Sequence, residues 1–296
     1  MTSGLSILIP VFNWPVEELI NSLLAQRPDW PGPVEILLLD DGSREEFRAL
    51  HRSLARLPGV HYRELPANVG RAAIRNQLAA AAQHEWLLLL DNDSLLPDAQ
   101  FLARYAAARH RGSVLIGGTC YAPTPPADAT LRLRWEYGRS REARPAAVRQ
   151  RQPYAQLTIN NALVRAAVLR RFPLDERLRG YGHEDTAFGE ALAAAGVPVV
   201  HLENPVLHAG LEPAELFLAK SEEAVRSLVA AFRQHGTGAD SRLLRTALRL
   251  RALGLAGPAQ ALLRALAPRL RRNLHSATPQ LRALDLLKLR WLLELW

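Results

Sequence analysis

Uninterrupted apolar runs alternate with helical periodicities through the first 120 residues. Residues 5–10 (LSILIP), 34–40 (VEILLLD) and 85–90 (EWLLLL) are apolar at nearly every position, as strands buried on both faces are. Shorter strands are predicted at 60–64 and 114–119. Between the strands, a helix is predicted from Pro15, which suits a first helical turn, to about residue 26. A second runs from a Ser43/Glu46 capping box to about residue 57, a third over the alanine-rich 70–82, and a fourth over 98–108. Buried strands separated by helices predict a parallel sheet covered on both faces, with ligands bound beyond the carboxyl ends of its strands.

The pattern breaks at 120–158, an arginine-dense stretch of weak periodicity that predicts a long, partly mobile excursion over the site. Regular structure is predicted to resume at 155–160. Helices follow near 165–171 and from 184 to just before Gly196, then a strand at 197–202 and a long helix over 213–234. HGTGAD (235–240) reads as a linker. Beyond it, 242–253, 258–274 and 279–295 read as three basic amphipathic helices.

Of the 296 residues, 48% are hydrophobic and 22% charged, a balance that excludes wholesale disorder. A single cysteine, Cys120, excludes an internal disulfide framework and a cysteine-based zinc cluster. The opening MTSGLSILIP lacks the features of an export signal, and no stretch approaches the ~18 apolar residues of a membrane-spanning helix. A soluble intracellular protein is expected. The net charge of +8 changes meaning once it is located. Residues 1–240 hold 26 basic and 27 acidic side chains, whereas 241–296 hold 11 basic and two acidic ones. The chain is a near-neutral body with a basic, leucine-rich tail.

Acidic residues gather where the predicted strands end. Asp40-Asp41 closes the second strand and Asp91-Asn92-Asp93 closes the EWLLLL strand. His183-Glu184-Asp185 follows the turn Gly180-Tyr181-Gly182. One such pair is usually a turn or a helix cap. Three at the mouth of one doubly wound sheet repel each other unless something positive lies between them. A hard divalent cation with a phosphate-bearing ligand meets that need, since oxygen ligands suit Mg²⁺ and Mn²⁺.

These acids fall within ILIPVFN (7–13), LLLDDGS (37–43), NVGRAAIRN (68–76), LLLLDNDSLLP (87–97), NNALVRAAVLRRF (160–172) and GYGHEDTAFGEAL (180–192). In their order and spacing the chain resembles glycosyltransferase family 2, nucleotide-sugar enzymes of the GT-A fold, over about residues 3–212. The resemblance implies an α/β, Rossmann-like fold with a mostly parallel sheet and helices on both faces, followed by a C-terminal helical extension. The expected organisation is a GT-A domain over 1–235, its nucleotide-binding half to about 119 and its acceptor half over 120–235, and a basic helical extension over 241–296. The implied reaction is metal-dependent transfer of a sugar from a nucleoside diphosphate sugar, with a UDP-sugar favoured, to an acceptor hydroxyl with inversion. The setting is cell-surface polysaccharide or glycolipid synthesis in the cytoplasm.

Residue by residue, the resemblance implies that Pro10 and Val11 present backbone groups to the nucleotide base, with Asn13 in the same donor loop. Asp41 accepts a hydrogen bond from the uracil ring or the ribose. Asn68 and Gly70 form the loop before the third helix, from which Arg75, and less directly Arg71, answers the diphosphate. In the DxD-type run, Asp93 binds the cofactor, Mn²⁺ or Mg²⁺, while Asp91, flanked by Asn92, contacts the ribose or donor sugar directly or through the ion. Asp185 matches the general base. Glu184 is its rival, about 100° away on the same opening helix. His208 either completes the metal shell or is structural; His201 and His183 are weaker candidates. Trp135 and Tyr137 either stack on a sugar or anchor the 120–158 excursion.

Two other classes are weighed. A nucleotidyltransferase would carry a glycine- and lysine-rich phosphate loop near its start, and FNWPVEEL has neither. A silent binding module would have lost its acids, yet Asp93 and Asp185 are present. The tail has two readings: an arginine-rich surface resting on anionic lipid beside a lipid-linked acceptor, or a helical subdomain with packed leucines and solvated arginines. It carries no nucleic-acid motif.

Overall fold

Three predicted apolar runs become neighbouring strands. A computed structural model describes residues 4–177, 184–235 and 241–296. Its strands are β1 (Leu5–Val11), β2 (Val34–Asp40), β3 (Val60–Glu64), β4 (Trp86–Leu90), β5 (Ser94–Leu95), β6 (Val114–Ile116), β7 (Thr119–Cys120), β8 (Asn161–Arg165), β9 (Val199–His201) and β10 (Val206–His208). The large sheet has the order β3-β2-β1-β4-β8-β6-β9, and β5, β10 and β7 make a small second sheet. In the large sheet β1 lies between β2 and β4, parallel to both.

Successive side chains of one strand enter opposite cores, which is why these strands are apolar throughout. Ile7, Ile9, Leu88 and Leu90 pack with Leu19, Ile20, Leu23, Phe101 and Tyr105 on one face. Leu8, Leu87 and Leu89 pack with Ile74, Leu78, Val164 and Phe188 on the other. Fully burying one such leucine is worth about 1.5–3 kcal/mol, so a polar residue in β1 or β4 would cost the sheet its centre.

The chain splits into two compact units: 4–121 with 142–177 and 184–210, and 122–141 with 211–235 and 241–296. The second unit is helical, built from Arg132–Tyr137, Ala214–His235, Arg242–Ala252, Ala256–Leu274 and Leu281–Glu294. Leu133, Phe217, Leu218, Leu244, Leu263, Leu287 and Trp291 form its core.

Three local expectations are corrected. The Ser43/Glu46 capping box does not form. The helix is Glu45–Arg52 with Arg44 at its N-cap, and the Ser43 hydroxyl instead accepts the Asn13 N–H at 2.9 Å. The 120–158 stretch is no loose excursion. Leu133 is buried in the helical core, and the Trp135 indole donates to Ala122 C=O at 2.8 Å with Arg139 over its ring. In the other unit, the buried Arg149 donates to the carbonyls of Arg144, Ile116, Gly117 and Leu202. Finally, regular structure resumes not at 155–160, which is turn and irregular backbone, but with β8, which starts at Asn161 and runs antiparallel to β4 and β6. The chain re-enters the sheet beside the carboxyl end of β4, where Leu90 faces Asn161, and must therefore run back.

Candidate active site

Beyond the ends of β1 and β4 and the start of the Arg71–Ala81 helix lies a cleft of about 360 Å³. Pro10 and Val11 line it from the end of β1. The Val11 carbonyl accepts the Asp41 N–H at 2.8 Å, which brings Asp41 to the cleft wall. Asp41 Oδ1 accepts the Val69 N–H at 2.7 Å and so braces the loop holding Asn68 and Gly70, both of which line the cleft. Burial pushes the Asp41 carboxyl up; the Val69 and Gly70 amides oppose that rise and Asp40 adds to it. Gly70 has φ +90°, a backbone conformation that glycine adopts at little cost and other residues do not. Behind Asp41, buried Asp40 accepts from Ser43 N–H at 2.7 Å and Tyr62 O–H at 3.1 Å. Asn13 does not line the cleft. With φ +48° it turns its side-chain oxygen to the Arg44 N–H at 2.8 Å, holding the loop after Asp41.

The acids after β4 diverge. Ser94 N–H bonds back to Asp91 C=O at 3.2 Å, closing a turn in which each side chain finds a different partner. Asp91 Oδ1 takes the Arg75 guanidinium at 2.5 Å, and Asn92 donates to Phe12 C=O at 3.3 Å. Asp93 Oδ2 lies 3.4 Å from His208 Nδ1. The small sheet makes that last pairing. β5 and β10 are antiparallel with Ser94 opposite His208, and Ala209 N–H bonds to Asp93 C=O at 2.9 Å. Tyr121 packs edge-on to the His208 ring, 5.4 Å between centroids, and donates its hydroxyl to Glu142.

Arg75 is buried among acids. Besides Asp91 it approaches Glu184 Oε1 at 3.9 Å, and Arg71 reaches the same oxygen at 3.8 Å. Asp185, next along, accepts the Ile159 N–H at 3.4 Å. Burial pushes the Asp185 carboxyl up to about 7; Glu184 and Asp91 add to the rise and Arg75 opposes it. Two neighbouring acids thus sit in different states of compensation, Glu184 between arginines and Asp185 on a backbone amide. Gly180, Tyr181, Gly182 and His183 lie outside the described residues.

The whole cleft belongs to a segment with a known family model. Residues 6–177, more than half the chain, match that of glycosyl transferase family 2. The chain is a family 2 glycosyltransferase. No functionally curated protein aligns with it by sequence. Among solved structures it is similar to S. aureus TarS 1–349, with 19% identity and TM-score 0.51, over 98% of this chain and 90% of that one. The same TarS segment solved with UDP-GlcNAc gives 17% identity and TM-score 0.52 over the same shares. A mannosyltransferase, PcManGT from Pyrobaculum calidifontis, solved with GDP-Man and Mn²⁺, gives 17% identity and TM-score 0.59, over 97% of this chain and 79% of that one. These likenesses establish the fold.

The donor set of this glycosyltransferase fits a divalent ion of a particular kind. Among the described residues, no three His, Cys, Asp or Glu side chains converge into a closed cage. Asp93 and His208 instead offer one carboxylate and one imidazole side by side. That is the sparse protein share expected where substrate phosphates and water complete the shell. Asp91, taken by Arg75, is turned to a different partner.

His201 lies apart from this set. It is buried against Arg149, with its Nδ1 2.6 Å from the guanidinium and its Nε2 2.9 Å from Pro153 C=O. Burial holds the imidazole below its ordinary value, and the neighbouring Arg149 charge works the same way. Sequence reasoning missed Tyr121 and Gly210, which back the Asp93–His208 pair. No local pattern signals them, because only the β5–β10–β7 pairing brings them there.

Proposed function

We propose that this glycosyltransferase moves a sugar from a nucleoside diphosphate sugar, with a UDP-sugar as the preferred donor, to an acceptor hydroxyl with inversion at the anomeric carbon. The observation that carries the reading is one cleft at the strand ends lined by Asp41, Arg75, Asp91 and Asp93 together. In it, Pro10 and Val11 flank the base and Asp41 accepts from the base or ribose. Asn68 and the start of the Arg71–Ala81 helix offer N–H groups to phosphate oxygens, Gly70 lets the backbone approach them, and Arg75 answers their charge. Asn92 and Asn13 hold the two donor loops through Phe12 and Arg44. Mn²⁺ or Mg²⁺ held by Asp93 and His208 with diphosphate oxygens would neutralise the charge of the leaving nucleoside diphosphate.

Asp185 acts as general base in this reading. It takes the proton of the acceptor hydroxyl as that oxygen bonds to the anomeric carbon. The bond from that carbon to the diphosphate oxygen breaks, its electron pair leaves with the nucleoside diphosphate, and the proton stays on Asp185. A carboxyl pushed up to about 7 is a stronger base than a solvated one and still ionises near neutrality. Glu184, engaged by Arg71 and Arg75, positions the arginines. The acceptor is a saccharide or a lipid-linked sugar, the product a cell-surface polysaccharide or glycolipid, and the place of reaction the cytoplasm.

The test is a panel of UDP-, GDP- and ADP-sugars with Mn²⁺, Mg²⁺ or chelator, reading nucleoside diphosphate release and thermal stabilisation. UDP with Mn²⁺ is expected to raise the apparent Tm, and Asp93→Ala to abolish that shift while the fold stays intact. Stabilisation by GDP or ADP but not UDP overturns the donor assignment. Unchanged UDP affinity of Asp93→Ala in Mn²⁺ overturns the metal assignment. Pyrophosphate release identifies a nucleotidyltransferase, and binding without turnover a silent module.

A further inference from the structure

Among the described residues, six leucines of the helical unit are exposed, and four of them, Leu248, Leu253, Leu255 and Leu262, lie at or near one turn, while Leu216 and Leu286 stand elsewhere. The Arg242–Ala252 helix ends in a turn whose Gly254 has φ +68°, closed by Leu255 N–H to Leu250 C=O at 2.8 Å. The next helix, Ala256–Leu274, begins at once. Around this tip the large apolar side chains point to water: Leu253 is 71% exposed, Leu262 60%, Leu255 48% and Leu248 38%. Ala252, Pro258 and Ala261 are exposed with them. Scattered surface leucines need no explanation, but a contiguous apolar tip marks a surface that meets something.

Charge says what that partner is. Arg242, Arg245 and Arg249 are exposed on the first helix, and Arg269 and Arg272 on the second. At 100° per residue, Arg242, Arg245 and Arg249 share the outward face with Ala252, opposite the buried Leu244 and Ala247, and Leu248 lies on the flank next to Leu244. The only acids of 241–296 are already engaged: Asp285 with Arg141 at 2.8 Å, and Glu294 with Arg264 and Arg290 at 3.0 Å. Those five arginines make no ion pair among the described residues. Helical rise sets Arg249 about 6 Å and Arg245 about 12 Å back from Leu253. Apolar groups in front and arginines one to two turns behind suit a bilayer interface, where an apolar surface sinks about 5–10 Å into the headgroup/acyl boundary and basic groups meet the anionic headgroups. No helix among the described residues is long and apolar enough to cross a membrane, so such contact would be peripheral.

We propose that the Leu253–Leu255 tip and its flanking arginines dock this protein onto an anionic lipid bilayer, leucines entering the acyl boundary and arginines pairing with lipid phosphates. The inference is independent of the donor chemistry above, and its test does not use turnover.

The full chain is sedimented with vesicles of phosphatidylcholine alone or mixed with phosphatidylglycerol. Binding is expected only to the anionic vesicles. It should be lost as salt rises from about 0.1 to about 1 M, where the Debye length falls from about 10 to about 3 Å. The double variant Leu253→Ser/Leu255→Ser should bind about tenfold more weakly or worse. Arg245→Gln/Arg249→Gln should lose about tenfold in affinity. Both alter exposed positions outside the cleft, so far-UV circular dichroism and the UDP-induced thermal shift should be unchanged. No vesicle binding, equal binding to neutral vesicles, salt-insensitive binding, or variants that bind like the parent chain each overturn the proposal. So does a dimer in solution that the leucine variant dissociates, since a second copy would then be what covers the tip. If either variant misfolds, the lipid and salt dependence of the unaltered chain decides.

Discussion

Gly210 packs against the side chain of Asp93 with no room for a β-carbon. A Cβ built on Gly210 would overlap Asp93 Oδ2 and lie 2.8 Å from Asp93 Cβ and Cγ. The backbone of Gly210 is not left-handed, so alanine is excluded there by space alone. Together with the Ala209 N–H to Asp93 C=O bond, this contact fixes where the Asp93 carboxylate points. Gly210→Ala should displace it and weaken Mn²⁺ binding about tenfold or more. Its cost in stability should be about 1–3 kcal/mol, the range for overpacking. Calorimetric titration with Mn²⁺ and urea unfolding check both, and Mn²⁺ affinity equal to the parent's would detach the contact from ion binding.

Arg75 is the buried cation among Asp91, Glu184 and Asp185, and removing it takes away the ion-pair partner of Asp91 and leaves Glu184 with Arg71 alone. Arg75→Met should destabilise the protein by about 3–5 kcal/mol, the cost of breaking a buried ion pair from one side. Because Arg75 opposes the rise of the Asp185 carboxyl, the variant should also move that titration upward. Arg75→Lys should restore part of both. Denaturant unfolding and the carboxyl resonance of Asp185 against pH are the measurements.

Asp185→Asn should lower kcat by about 10²–10⁴, the usual share of a general base, while donor binding persists. In the parent chain kcat should rise with pH through about 7 as Asp185 ionises. Stability should run the other way. A carboxyl whose folded value is raised from 3.8 to about 7 favours the protonated fold. Its contribution is full below about pH 4 and is lost as pH rises through about 7. Asp185→Asn should therefore gain on the parent in stability above pH 7, read by thermal unfolding across pH. A kcat profile flat through that range would remove Asp185 from the role of base.

Asp41→Ala frees the Val69 N–H and the loop carrying Asn68 and Gly70. The donor KM should rise about tenfold, equivalent to about 1.4 kcal/mol, with a smaller change in kcat. Initial rates over a range of donor concentration separate the two, and a fall in kcat at constant KM would contradict a binding role.

Local pattern made much of this molecule legible. The strands of the nucleotide-binding half are apolar on both faces because both faces are covered, and their terminal aspartates stand out for the same reason. The basic helices at the end of the chain were readable from period and charge. The capping box at Ser43 misled, because Asn13, thirty residues earlier, competes for the same hydroxyl. The 120–158 stretch misled because its periodicity is weak, whereas Arg149 finds four carbonyls, three of them in buried bonds, that no local pattern announces.

By itself, then, the sequence determined the family, the central strands and the acids that close them, since each depends on residues adjacent in the chain. Only the tertiary structure decided which acid meets which partner: Asp91 with Arg75, Asp93 with His208 and Gly210, and Glu184 with both arginines. Those pairings join segments far apart along the chain. Strand order and the β5–β10 register bring them within reach, and neither is written in any local run of residues.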